Sequence, residues 1–181
     1  MTVKSATALG LNSSLEPGLV LINTTNFSGV SNVTISNVFS AAYDNYRVSW
    51  SFPDATNTAT GPTYIRMASN GTQTTDTNYY RRNIQVNDAN IVFSSESGIV
   101  HHYVGSLDTG ETSWSGWSMD FISPFKAKPT VFNMNTFGYE GSLLAHIGGG
   151  VHITSASYDG FRWNIANGTV SGGTIKVYGY N

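Results

Sequence analysis

From position 46 to 52, apolar and polar side chains alternate without a break. Tyr46, Val48, Trp50 and Phe52 fall on one side, and Arg47, Ser49 and Ser51 on the other. Successive side chains of a strand point to opposite faces, so this stretch predicts a strand with one large aromatic face to bury. Tyr43-Asp44-Asn45 ahead of it is turn chemistry, because Asp and Asn bond their own backbone and tolerate left-handed geometry. Period-2 patterns or short apolar runs recur at residues 19–23, 33–35, 64–67, 79–86, 90–93, 99–104, 117–121, 130–137, 161–165 and 174–180. Between them lie turn signals: Ser69-Asn70-Gly71-Thr72, Asn87-Asp88-Ala89, Asp108-Thr109-Gly110-Glu111 and Tyr158-Asp159-Gly160. Residues 53–62 form a polar loop with a proline at each end, and residues 146–152 read as a hairpin centred on Gly149. The one candidate helical turn, residues 39–43, is too short to stand alone. About a dozen short strands without a sustained helical period predict an all-β chain, a single antiparallel jelly-roll-like β-sandwich over residues 18–181. Residues 1–17, small and polar, read as an N-terminal arm, disordered or lying on a neighbouring subunit.

Composition narrows the function. The 181 residues fit one domain with a substantial core. Only 11% of residues are charged, against roughly 25% in a typical soluble domain, and Ser, Thr, Asn and 19 Gly take the place of charge. A surface so poor in charge suits a protein packed among copies of itself. The net charge of −2 gives no electrostatic case for nucleic acid or an anionic membrane. With no cysteine, disulfides, thiolate metal sites and cysteine nucleophiles are excluded. The start of the chain shows no apolar signal region, and Leu19-Val20-Leu21-Ile22 is far too short to insert in a bilayer. Asn-x-Ser/Thr triplets such as Asn23-Thr24-Thr25 are therefore read as by-products of composition.

Several segments carry a family likeness in order along the chain. They are Gly18-Leu19-Val20-Leu21-Ile22, Phe27-Ser28-Gly29-Val30-Ser31, and the run from Val38-Phe39-Ser40 to Arg47-Val48. Ile65-Arg66-Met67, Asn70-Gly71 and Asn78-Tyr79 follow, and the ending is Gly172-Gly173-Thr174-Ile175-Lys176-Val177-Tyr178-Gly179-Tyr180. Together these resemble tailed-bacteriophage virion proteins of the tail-fibre, minor-tail and structural kinds, over residues 18–181. The resemblance implies a non-enzymatic, jelly-roll-like module on the particle surface, often a homotrimer, partnered by other tail or capsid proteins and by the host surface. A long fibre would be expected to carry a stalk and a particle-attachment domain, and these residues show neither. Capsid decoration, as a cement or head-fibre protein, thus stands as the second reading. A carbohydrate-binding, lectin-like module stands as the third.

Candidate chemistry is sparse. Neighbours on a strand face opposite ways, so His101-His102 should place one ring in and one out. A hairpin at Gly149 would set His146 and His152 opposite each other on one face, where a trimer axis would gather imidazoles around a metal. Without a carboxylate partner such pairs are more often packed. Trp114, beside Ser115-Gly116-Trp117, is the freer of two tryptophans and a sugar-stacking candidate, whereas Trp117 falls on the core face with Met119 and Phe121. Tyr79 and Arg81 would alternate on an exposed face as a ligand-contacting edge, the commoner reading being ordinary sheet surface or subunit interface. Asp76-Thr77-Asn78 has an oxygen-ligand spacing for calcium but no further carboxylate in register. Asp108, Glu111 and Asp120 form no pair of the kind glycoside hydrolysis needs. No nucleophile elbow or nucleotide-binding glycine pattern occurs, and no cofactor is implied.

Overall fold

The computed structural model describes residues 18–52, 60–107, 115–139 and 143–181. The arm read over residues 1–17, the turn at 108–111, Trp114 and most of the 53–62 loop lie outside the described residues. The described chain is built from β1 (Val20–Phe27), β2 (Asn32–Ile35), β3 (Asn45–Phe52), β4 (Thr60–Ser69), β5 (Thr72–Gln73), β6 (Tyr79–Asn87) and β7 (Ile91–Ile99). It continues through β8 (His102–Leu107), β9 (Ser115–Ile122), β10 (Lys128–Tyr139), β11 (Leu143–Ala156), β12 (Gly160–Asn167) and β13 (Gly173–Tyr180). Eight strands form one antiparallel sheet in the order β1-β13-β3-β9-β10-β11-β6-β7. The other sheet runs β2-β12-β4, with β5 and β8 both pairing the far side of β4. The chain is an all-β antiparallel sandwich.

The alternation of β3 is realised as the sequence predicts: Tyr46, Val48, Trp50 and Phe52 are all buried. They meet Trp117, Met119 and Phe121 of β9 on the same sheet, and Ile65, Met67, Phe161 and Trp163 of the facing one. The core is largely aromatic. Phe52 lies 4.6 Å from Trp117, Phe121 5.3 Å from Phe161, and Phe27 5.5 Å from Trp163, between ring centroids in tilted arrangements that favour ring edges over faces. The predicted Asn-Gly hairpin is present, with positive φ at both Asn70 (50°) and Gly71 (75°).

Two local readings can be compared with the structure, and one of them is corrected. Residues 39–43 form no helix, only a turn at Ala41 and Ala42. It is tied down by the Tyr46 hydroxyl, which accepts from the Ser40 N–H (2.7 Å) and donates to the Ser40 carbonyl (2.8 Å). The hairpin expected at Gly149 is absent. β11 runs straight through Gly148, Gly149 and Gly150 as one strand of 14 residues, paired to β10 on one side and β6 on the other. The three glycines answer crowding, not turning. A Cβ on Gly148 would lie 2.5 Å from the Arg82 carbonyl oxygen, and one on Gly149 2.5 Å from that of Phe132.

Candidate functional site: an outward-facing apolar half-sheet over a polar layer

The sheet of eight is wider than the sheet that covers it, and its β10-β11-β6-β7 half has unusual polarity. On the inner side, β11 carries His146 and His152, β6 carries Tyr79, Arg81 and Asn83, and β10 carries Thr130 and Thr136 beside Phe132 and Met134. Apolar side chains dominate the outer side. Strand pairing lines up one row as Asn135-Ile147-Ile84-Phe93 and the next as Phe137-Ala145-Val86-Ile91. Phe93 is 76% exposed, Ile91 63%, and Phe137 and Ile147 57% each. Much of this half therefore turns apolar groups to water and polar groups inward, the reverse of an ordinary one-sided sheet. Across the same outer surface, the β1-β13-β3-β9 half presents Thr24, Lys176, Ser49 and Ser118 in the row that continues to Asn135. Arg47 and Asp120 form a bidentate ion pair on that half at 2.8 Å for each contact.

Beside the apolar rows the surface drops into a shallow depression of about 510 Å³, lined by residues 80–82, 131–133 and 149–151. Here the row reads Asn133-Gly149-Arg82-Ser95, so small and polar residues replace the bulky ones. The guanidinium of Arg82 donates to the carbonyls of Arg81 (2.7 Å) and Glu96 (3.2 Å).

The layer beneath is buried. His102 on β8 is fully buried, stacks on Phe132 at 4.9 Å, and has no hydrogen-bond partner at either ring nitrogen among the described residues. Burial, with the nearby Arg81 charge, pushes its pKa down to about 3, so the ring is neutral. His146 is pushed down to about 4 by the same two causes, and its Nε2 lies 3.1 Å from the Tyr103 hydroxyl. The Arg81 side chain is mostly buried on the inner side. It pairs with Glu96 at 2.7 Å and lies 4.7 Å above the Tyr103 ring. His152 is fully buried and its Nε2 donates to the Asp76 carboxylate at 2.8 Å. Burial alone would raise the Asp76 pKa, but the His152 bond and charge, the Thr154 hydroxyl and the Asn78 N–H together hold it below the usual carboxylate range. Asp76→Asn is expected to cost about 1–2 kcal/mol, because the amide cannot accept from both His152 and Thr154. Urea unfolding at pH 7 checks this, and an unchanged midpoint would show that the carboxylate contributes nothing.

The sequence candidates sort accordingly. Tyr79 is completely buried: its hydroxyl accepts from the Met67 N–H at 2.7 Å and shares a hydrogen bond with Thr74 Oγ1 at 2.9 Å. The expected exposed edge of Tyr79 and Arg81 is therefore inverted. A strand's faces exchange with a one-residue shift, and Tyr80 and Arg82 are the outward pair. His101 and His102 do face opposite ways: His102 is in the core and His101 is half-buried against Tyr64 at 3.8 Å. His146 and His152 share a face of one strand, six residues and about 20 Å apart at the rise of a strand, so a single ion cannot bridge them. Among the described residues no cluster of three or more His, Asp or Glu is placed to hold a metal. Asp76 serves His152 and Thr154 and gathers no second carboxylate among the described residues. No helix among the described residues is long and apolar enough to cross a membrane. The apolar rows escaped the sequence reading, although Ile84, Val86, Ile91 and Phe93 alternate in it; alternation alone does not say which side faces the core.

No protein-family model, no curated protein and no solved structure matches the chain.

Proposed function

We propose that this protein is a non-catalytic structural module of a tailed-bacteriophage virion, of the tail-fibre or adhesin kind, acting through surface contact. The observation that carries the reading is the reversed half-sheet: Phe93, Ile91, Phe137 and Ile147 stand in water above a buried polar layer. Such a surface is suited to being covered by protein in an assembly. The low charge of the chain supports this, as does the resemblance of its strand and turn segments to virion proteins. Four of the described carboxylates are held in ion pairs: Asp120 with Arg47, Glu96 with Arg81, Asp76 with His152 and Asp44 with Lys126.

Decoration of the capsid is a second reading, favoured by the breadth of the apolar rows, which suit a flat protein partner better than a receptor loop. Gold-labelled antibody against the protein, applied to intact particles, separates the two by electron microscopy. Label at the tail or fibre tips is expected for the adhesin, and label over the head for decoration. Particles that bind no antibody, from a host shown to make the protein, would overturn both.

A further inference from the structure

The reversed half-sheet carries a more specific conclusion. We propose that its outer face packs against the same face of a second copy of this chain about a two-fold axis, each copy's ridge seated in the other's depression. This deepens the structural reading above and rests on its claim that the chain works by association.

Size supports it first. A fully exposed aromatic side chain presents about 150–250 Å², so the fractional exposures put the apolar area of this half-sheet on the order of 700 Å². The largest apolar patch of a typical monomer is roughly 300–600 Å², and a stable pair needs about 800 Å² per partner. With the polar margin included, this face supplies one side of a standard interface.

Shape supplies the second argument, and it selects a copy of this chain over an unrelated protein. The ridge row, Ile147-Ile84-Phe93, and the low row, Gly149-Arg82-Ser95, occupy the same three strands two residues apart. That spacing is about 7 Å along the strands. A two-fold axis lying across the strands midway between them exchanges the rows and leaves each strand opposite its own counterpart. Ile147 of one copy then stands over Gly149 of the other, and Phe93 over Ser95. An isologous contact needs this self-complementarity, and an unrelated partner has no reason to match it. Two sheets packed face to face normally interleave side chains in this manner at about 10 Å separation.

Charge does not oppose the contact. Arg82 is the one charged residue of these two rows, and its guanidinium is already turned to the carbonyls of Arg81 and Glu96.

The test is the mass of the full chain in solution, by sedimentation velocity and light scattering from roughly 1 to 50 μM, a range that spans ordinary homodimer affinities. The wild type is expected to be a dimer. Phe93→Asp and Ile147→Asp are each expected to weaken it at least tenfold, giving monomers with the wild-type far-ultraviolet circular dichroism spectrum. Lys176→Asp, on the polar half of the same outer face, should leave the dimer intact. A wild-type monomer at 50 μM, a trimer, or a dimer that survives both substitutions would overturn the proposal. Failure here with gold label still found on particles would leave the virion reading standing and dismiss only this face; a dimer without label would do the opposite.

Discussion

Replacing Gly150 with alanine is expected to lower stability by about 3 kcal/mol, and the melting temperature by roughly 6–12 °C for a chain of this size. The added methyl would collide with the Tyr80 carbonyl oxygen of the paired strand. It would also lie 2.7 Å from His102 Cε1 and 2.8 Å from Nδ1. Neither neighbour can give way cheaply: the carbonyl belongs to the β6 ladder, and the imidazole is clamped against Phe132 inside the core. Gly116 on β9 is the control, because a methyl there meets nothing within 4 Å. Its alanine variant should stay within about 0.5 kcal/mol of the wild type. Parallel thermal and urea melts of the two variants decide the matter; equal stabilities would refute the account of why β11 carries three glycines. A further His102→Ala change in the Gly150→Ala background should return part of the loss, since it removes one of the two colliding groups and leaves the other.

The same glycines show where sequence reasoning succeeds and where it stops. Alternation alone identified β3, β9 and β13, because there the bulky residues do face the second sheet, and Tyr46, Trp50, Trp117 and Ile175 are buried as the pattern requires. Asn70-Gly71 was legible because positive φ at two successive positions is a local demand of the backbone. Gly148-Gly149-Gly150 was misread as a turn because glycine answers two different needs. Crowding by the backbones of Phe132, Tyr80 and Arg82 is invisible until β10 and β6 are placed on either side. Face assignment failed at residues 79–82 for a related reason. Tyr, Arg and Asn suit either side of a strand, so only the pairing of Arg81 with Gly150 and Glu96 fixes which side they occupy. The outward rows were missed because apolar alternation is ordinarily taken to mean inward. In this half-sheet the histidines occupy the inner phase instead.

Those inner histidines should make the fold acid-sensitive well above the range in which its carboxylates titrate. His102 and His146 have pKa values of about 3 and about 4 in the folded chain, depressed chiefly by burial, against an ordinary value near 6.5 when unfolded. For a base whose folded pKa is depressed, the two states bind protons equally above pH ~6.5, so stability is flat there. Below that point the unfolded chain takes up protons that the folded chain refuses, and stability falls as pH falls. At pH ~4.5, two units below the ordinary value, His102 alone accounts for about 3 kcal/mol of lost stability, and His146 adds in the same direction. Half-buried His101, whose pKa is lowered by burial and by the charges of Arg66 and Arg81, contributes more weakly. Asp76 acts in a separate window. Its folded pKa is depressed, so its stabilising bonds are complete above about pH 4 and fail only below it. Urea unfolding free energies at half-unit steps from pH 8 to 4.5 are therefore expected to hold level to about pH 6.5 and then decline. His146→Gln, which keeps a hydrogen-bonding group beside the Tyr103 hydroxyl, should make that decline shallower without moving its onset. A curve that stays level to pH 4.5 would mean that the buried imidazoles reach protons and water more easily than their burial allows. A decline of wild-type steepness in the variant would remove His146 from the cause and leave His102 to account for it.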